Sequence, residues 1–141
     1  MISCEGNLEP ELFDQITPEN FLTNEDDVKT AVTGVYAEFR GISEWGRYKT
    51  SWGSVMTLQE VPTDLWAANW FYKAHTDFMW KATDYFVCEI FEFFVPAITK
   101  ATALIARIQD APVSDDIKNR YIAELRVVRA LWMYDLFDLY G

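Results

Sequence analysis

Three stretches of the chain, at residues 23–41, 84–109 and 114–140, repeat their apolar residues with the spacing of an amphipathic α-helix. In the first stretch, Thr23 or Asn24 can cap the first turn and Arg40-Gly41 closes the last one. Its apolar stripe consists of Val28, Ala31, Val32, Val35, Tyr36 and Phe39. The stripe predicts a helix that packs one face against a neighbour.

The second stretch predicts a helix that contains a proline. Its predicted core stripe consists of Phe91, Phe94, Val95, Ile98, Ala101, Ile105 and Ile108. We expect Pro96 to kink this helix, because proline lacks the N–H that would bond one turn back. The alternative is a helix that begins near Val95, with Pro96 in its first turn.

The third stretch carries two apolar stripes. Ser114 is the candidate N-cap, and Gly141 suits the position just past the helix end. The first stripe consists of Ile117, Tyr121, Leu125, Val128, Trp132, Leu136 and Leu139, and the second of Ala123, Val127, Ala130, Leu131 and Tyr134. Two stripes predict a helix covered on more than one side, and three helices can cover only part of that surface. We therefore expect this chain to be the front part of a larger protein.

The remaining segments lack a sustained period. Residues 1–22 contain Gly6, Pro10 and Pro18 and are typical of an extended lead-in. Residues 42–83 predict a long loop with turn chemistry at 62–64 and one short helix around 66–78. A loop of this length inside a domain is uncommon and tends to be functional or mobile.

Composition excludes several classes of partner. The 141 residues are 50% hydrophobic and carry a net charge of -10, which repels nucleic acid. The most apolar stretch, residues 85–98, is interrupted by Glu89, Glu92 and Pro96 and falls short of the ~18 residues of a transmembrane helix. Cys4, Cys88 and the single His75 form no spacing typical of a disulfide framework or a metal site, so we expect no cofactor.

Aromatic residues make up 16% of the chain and are concentrated in the predicted loop. Flat rings stack on the C–H face of a sugar, and nearby polar groups bond its hydroxyls. The candidate ligand-binding residues are Trp45, Arg47, Trp52, Asp64, Trp66, Asn69, Trp70 and Tyr72. The alternative is that these rings only fill the space between long helices, with Trp66 and Trp70 on one buried helical face.

The sequence carries no positive signature of an enzyme. It contains no G-x-S-x-G, Walker A or G-x-G-x-x-G pattern. Acidic pairs such as Asp135 with Asp138, or Glu89 with Glu92, are neighbours on one helix rather than partners across a cleft. We expect Glu124 to pair with Arg120, Arg126 and Arg129 to contact loop carbonyls or carboxylates, and His75 to be a polar loop residue.

Two segments at opposite ends of the chain carry motifs of one family. Residues 17–21 read T-P-E-N-F before the first helix, and residues 124–136 read E-L-R-V-V-R-A-L-W-M-Y-D-L before Leu139-Tyr140-Gly141. In order and spacing they resemble the start of SusD/RagB-like proteins, which carry T-P-x-N-F and E-x-R-F-L-R-A-x-x-Y-F-x-L closing on Y-G. Residues 97–105 are similar to the family's A-I-x-x-A-N-x-L-L helix, with Thr102 in place of the usual Asn.

The resemblance implies an all-α, tetratricopeptide-like helical array in a lipoprotein on the outer face of a Bacteroidetes-type outer membrane. It also implies a non-enzymatic role in nutrient uptake, in which oligosaccharides are captured for a TonB-dependent, SusC-like barrel. Ile2-Ser3-Cys4 resembles the end of a lipobox, so Cys4 would be lipidated in a full precursor. The alternative, from a different class, is a helical protein-interaction scaffold without its own ligand site.

Overall fold

The computed structural model of the chain describes residues 21–40, 55–66 and 72–141. Within these ranges 76% of the residues are helical and none lies in a β-strand. The predicted all-α class is therefore confirmed for the described residues. Most of the predicted lead-in lies outside them, as do residues 41–54 and 67–71 of the predicted loop.

Five α-helices follow one another along the described residues. They are α1 at Glu25–Ala37, α2 at Val55–Glu60, α3 at Lys73–Thr76, α4 at Tyr85–Asp110 and α5 at Asp115–Tyr140. A single 3-10 turn, Glu38–Arg40, extends α1. The three long helices begin and end close to the predicted residues, whereas α2 was not predicted and α3 is much shorter than the helix expected at 66–78.

The start of α1 is fixed by a network of polar side chains. Asn24 is the N-cap, and its Oδ1 accepts the backbone N–H of Asp27 at 3.0 Å. The Asp27 carboxylate in turn accepts the hydroxyl of Thr23 at 2.6 Å and its backbone N–H at 2.9 Å. These hydrogen bonds from Thr23 lower the pKa of Asp27. Both predicted capping residues therefore take part in satisfying donors that the helix itself leaves free.

The core lies where α1 packs on the α4–α5 hairpin. From α1, the buried side chains are Val28, Val32 and Val35 of the predicted stripe, whereas Tyr36 of that stripe is 41% exposed. The hairpin contributes Phe86, Ile90, Phe94, Ala97, Ala101, Leu104, Ile105, Ile108, Tyr121, Ile122, Leu125, Val128 and Trp132. The turn at 111–114 is short, so α4 and α5 run antiparallel along most of their length.

The buried face of α4 agrees with the predicted stripe at Phe94, Ala101, Ile105 and Ile108 and differs from it at two positions. Phe91 and Val95 were expected in the core, but both are exposed, and Ile90 and Ala97 are buried in their place. Apolar residues surround this part of the helix, so periodicity alone does not decide which of them faces its neighbours. The helix is continuous across Pro96, which is itself exposed, so the alternative of a helix starting near Val95 is wrong. The kink stays a prediction.

The two stripes of α5 have opposite surroundings. The first contributes Tyr121, Leu125, Val128 and Trp132 to the core, and its remaining members are partly buried. The second is exposed and, together with two further exposed side chains, forms a surface that we call the outer face of α5. The outer face consists of Ala123, Val127, Ala130, Leu131, Met133, Tyr134 and Phe137. No described helix covers it.

Candidate functional site

Most of the predicted ligand-binding residues lie outside the described residues. These are Trp45, Arg47, Trp52, Asn69 and Trp70, and the predicted lipidation site Cys4 lies outside them as well. The structure places Asp64, Trp66 and Tyr72. These three residues and their contacts make up the described part of the candidate site.

Asp64 and Trp66 lie in the turn that follows α2. The hydroxyl of Thr63 donates to the carbonyl of Glu60 at 2.7 Å, and the Trp66 N–H donates to the Thr63 carbonyl at 3.4 Å. The predicted turn chemistry at 62–64 is thus confirmed. Asp64 is exposed and 36% of Trp66 is accessible, so an indole and a carboxylate both reach solvent from one turn. Trp66 lies outside any helix, which excludes the shared buried face with Trp70.

Tyr72 belongs to a second group of rings, at the start of α4. Its ring stacks on Phe86 with centroids 5.4 Å apart, and it makes no ring contact with Trp66. His75 meets the same phenylalanine edge-on at 5.5 Å and stacks on Trp80 at 6.0 Å. Phe78 lies 5.6 Å from Trp80. We call Tyr72, His75, Phe78, Trp80 and Phe86 the aromatic cluster.

The aromatic cluster contains two exposed rings that were not among the predicted ligand-binding residues. Phe78 is 68% exposed, and Trp80 is also exposed although one face of its indole covers His75. Phe78 adopts a left-handed backbone conformation with φ of 55°. The sequence signal for these exposed rings is the run Phe-Met-Trp at 78–80. Three consecutive large apolar residues in a segment without helical period do not all face the core.

His75 is buried, contrary to the expectation of a polar loop residue. It lies on α3, is 3% exposed, and neither ring nitrogen has a hydrogen-bond partner in the described part of the chain. Burial lowers the pKa of His75, and the nearby Asp84 carboxylate offsets part of that effect. The imidazole is therefore neutral at pH 7 and acts as a flat ring within the aromatic cluster.

A small cavity lies under Trp80, between α2 and the open end of the hairpin. It has a volume of about 100 Å³ and is lined by Leu58, Pro62, Trp80, Val87, Leu139 and Tyr140. The Tyr140 hydroxyl donates to the Val87 carbonyl, and the Gln59 amide donates to Asp138 at 2.9 Å. Pockets that enclose a ligand usually have at least ~300 Å³. This cavity is therefore smaller than a typical ligand pocket.

The charged residues of α5 serve local contacts. Arg120 and Glu124 form the predicted ion pair, with Nε and Oε1 3.4 Å apart. Arg129 donates to the hydroxyl of Thr102 on α4 at 3.2 Å, so its partner is a hydroxyl and not the expected carbonyl or carboxylate. This contact joins α4 and α5.

Two of the four residues in the acidic pairs accept hydrogen bonds from other side chains. Asp138 accepts the bond from Gln59, and Glu89 accepts the phenol of Tyr85 at 3.0 Å. Burial and the charge of Asp138 raise the pKa of Asp135. Among the residues that the structure describes, no three His, Cys, Asp or Glu side chains come together as a metal site. No helix in the described ranges is long and apolar enough to span a bilayer.

Comparison with known proteins does not assign the chain to a family. No protein-family model, no curated protein and no solved structure matches it.

Proposed function

We propose that the chain is the N-terminal helical part of a SusD/RagB-like nutrient-binding lipoprotein, with its helices in a tetratricopeptide-like array. In this role it captures oligosaccharides, or another nutrient, at the outer face of the outer membrane for a TonB-dependent, SusC-like barrel. It performs no chemical step. The anchor is a lipid on Cys4 of the full-length precursor, so Cys4→Ser in that precursor should move the protein from the membrane to the soluble fraction.

The observation that carries this proposal is the exposure of aromatic rings beside polar groups. Trp66 and Asp64 reach solvent from one turn, and Phe78 and Trp80 reach it from the aromatic cluster. An indole face offers a sugar ring a flat apolar contact, and the carboxylate accepts hydrogen bonds from the hydroxyls of the sugar. Binding of this kind is reversible and modest, as delivery to a transporter requires.

The family assignment in this proposal is supported by the placement of the motif residues. The Y-G closure lies at the end of α5, where Gly141 has φ of 86° and its N–H donates to the Phe137 carbonyl at 3.0 Å. A left-handed residue at this position suits glycine. The contact of Arg129 with Thr102 links the terminal motif helix to the other one.

Tryptophan fluorescence of the full-length protein tests the proposal directly. We expect at least one member of an oligosaccharide panel to change the emission saturably, and Trp66→Ala or Trp80→Ala to weaken binding about three- to tenfold through the lost stacking. Trp132→Phe is the matched control, because it removes a buried indole and leaves the exposed rings in place. A folded protein that responds to no oligosaccharide in the panel would refute glycan capture.

A protein-interaction scaffold is the second candidate, and the outer face of α5 favours it. Val127 and Phe137 are 71% and 74% exposed, and large exposed apolar surfaces commonly mark docking sites. Under this alternative, Phe137→Ser with Val127→Ser abolishes co-purification with a partner such as the barrel, whereas Trp66→Ala does not. Loss of oligosaccharide binding in Trp66→Ala with the complex intact favours the capture role.

A further inference from the structure

We propose that His75 is a pH-sensitive latch that holds residues 72–84, here called the α3 arm, against the first turn of α4, and that mild acidification releases the arm. The α3 arm comprises α3 and the turn that leads into α4. The inference goes beyond the proposed function and holds whichever ligand the exposed rings bind.

The α3 arm depends on tertiary contacts because its helix is too short to form alone. α3 has four residues, and an isolated helix of that length does not persist in water. Its buried residue is His75, which packs between Trp80 of the same arm and Phe86 of α4. The ring of Tyr72 also stacks on Phe86, with centroids 5.4 Å apart. Docking of the arm therefore centres on one imidazole.

The surroundings of that imidazole suit its neutral form. Both ring nitrogens lie buried without a hydrogen-bond partner among the described residues, so a second proton would place an unpaired positive charge between aromatic rings. Stacking of an imidazolium on the Trp80 face would recover part of this cost. Burial of the ring outweighs the attraction of the nearby Asp84 carboxylate, so the pKa of His75 lies below its ordinary value.

The charged groups around His75 do not supply a partner for its proton. At the end of the arm, just before α4, Asp84 attracts that proton, but the Asp84 carboxylate already accepts the Lys81 N–H at 2.8 Å to close the turn. On the arm itself, Lys73 and Asp77 pair with each other at 2.6 Å. The rings of Tyr72 and Tyr85 both contact Phe86.

The arm also contains strain that its release would relieve. Phe78 holds a φ of 55°, a conformation that is unfavourable for a residue with a bulky side chain, while its own ring is mostly exposed. Met79 donates its N–H to the Ala74 carbonyl at 2.8 Å and so fixes this bend. Release of the arm relieves this strain when it also breaks the bond between Met79 and Ala74.

The direction of the pH effect follows from proton linkage. In the released arm His75 has an ordinary pKa near 6.5, and in the docked arm its pKa is lower. The docked state therefore has its full stability above pH ~6.5, and loses it progressively as the pH falls below that value. While the docked imidazole stays neutral, each pH unit shifts the docking equilibrium about tenfold toward release.

Hydrogen exchange and NMR together test the latch. His75 is the single histidine of the chain, so its Cε1–H signal titrates without overlap, and we expect a pKa below 6.5. Protection of the α3 arm amides, corrected for intrinsic exchange, should fall as the pH drops below about 6.5, by at most about tenfold per pH unit, and should level off once the docked imidazole itself takes up a proton. The amides of the α4–α5 core should show no such fall.

Two variants separate titration from packing. His75→Phe keeps a flat ring without a titrating group, so protection of the arm should become independent of pH. His75→Gln removes the ring, so the arm should be weakly protected at every pH. A wild-type His75 that titrates at or above 6.5, arm protection that is unchanged by acid, or a His75→Phe variant with the wild-type pH dependence would each overturn the proposal.

Discussion

The inner and outer faces of α5 carry similar side chains and meet opposite environments. On the inner face Trp132 is 1% exposed, and on the outer face Phe137 is 74% exposed. Val128 and Val127, adjacent in sequence, fall on opposite sides of this division. Hydrophobic character alone therefore does not decide burial in this chain. The approach of α1 and α4 to one side of α5 decides it.

The outer face has the spacing of a helix-packing seam. Ala123, Val127, Ala130, Tyr134 and Phe137 follow one another at alternating steps of four and three residues. This is the spacing with which one helix packs along another. The inner face thus represents a completed interface, and the outer face has the pattern of an interface without a described partner. The following changes test that contrast, in order of decreasing expected effect.

A buried charge gives the largest expected difference between the two faces. Val128→Asp places a carboxylate in the core and should cost at least ~4 kcal/mol of unfolding free energy. Val127→Asp, one residue away on the outer face, should change it by less than ~0.5 kcal/mol. Chemical denaturation followed by circular dichroism measures both. Similar losses in the two variants would mean that the outer face is also buried.

Aromatic truncation gives the next largest difference. Trp132→Ala removes an indole whose ring centroid lies 4.7 Å from that of Phe39. It should cost about 3–5 kcal/mol of unfolding free energy, because a cavity remains. Tyr134→Ala on the outer face should cost less than ~0.5 kcal/mol. The comparison fails if Tyr134→Ala is as damaging as Trp132→Ala in thermal and chemical unfolding.

The bond between Arg129 and Thr102 tests the polar contact between the two long helices. Thr102→Val should cost about 1 kcal/mol by removing the acceptor. Thr102→Asn restores an acceptor and should stay within ~0.5 kcal/mol of the wild type. A double-mutant cycle with Arg129→Met isolates the pairwise energy. Additive losses in that cycle would show that the bond contributes nothing to stability.

A substitution of Asp135 should give the smallest effect, and the size of that effect should depend on pH. Burial, with the charge of Asp138, raises the pKa of Asp135, so the ionised carboxylate destabilises the folded protein at neutral pH. Asp135→Asn should therefore slightly raise the melting temperature at pH 7. The gain should shrink as the pH falls through the raised pKa, because the wild-type side chain then becomes protonated. A melting temperature that falls at pH 7 contradicts this account.

The long helices could be predicted from the sequence because each contains many periods of its apolar pattern. Their boundaries carry local signals as well, such as Asn24 at the start of α1 and Gly141 after α5. The six residues of α2 contain too little of the pattern to distinguish a helix from a loop. On α4 the sequence predicted the burial of Phe94 correctly but also placed Phe91 in the core, because the two residues are equally apolar and only tertiary packing separates them.

The candidate site could be predicted less completely. The turn at 62–64 follows from local chemistry, and with it the exposure of Trp66. The roles of Trp80 and His75 depend on contact with Phe86, which lies on another element. Sequence spacing does not encode such a contact. A single histidine among aromatic residues was therefore assigned to a polar loop, although the fold buries it.

The bond from the Tyr140 phenol to the Val87 carbonyl closes the hairpin at the end opposite its turn. Phe91 adds an edge-on ring contact with Tyr140 at 5.7 Å. Burial raises the pKa of Tyr140, so the phenol remains a donor where an ordinary tyrosine begins to ionise. Strong alkali should therefore fray the last turn of α5 first, since a phenolate cannot donate and would repel that carbonyl.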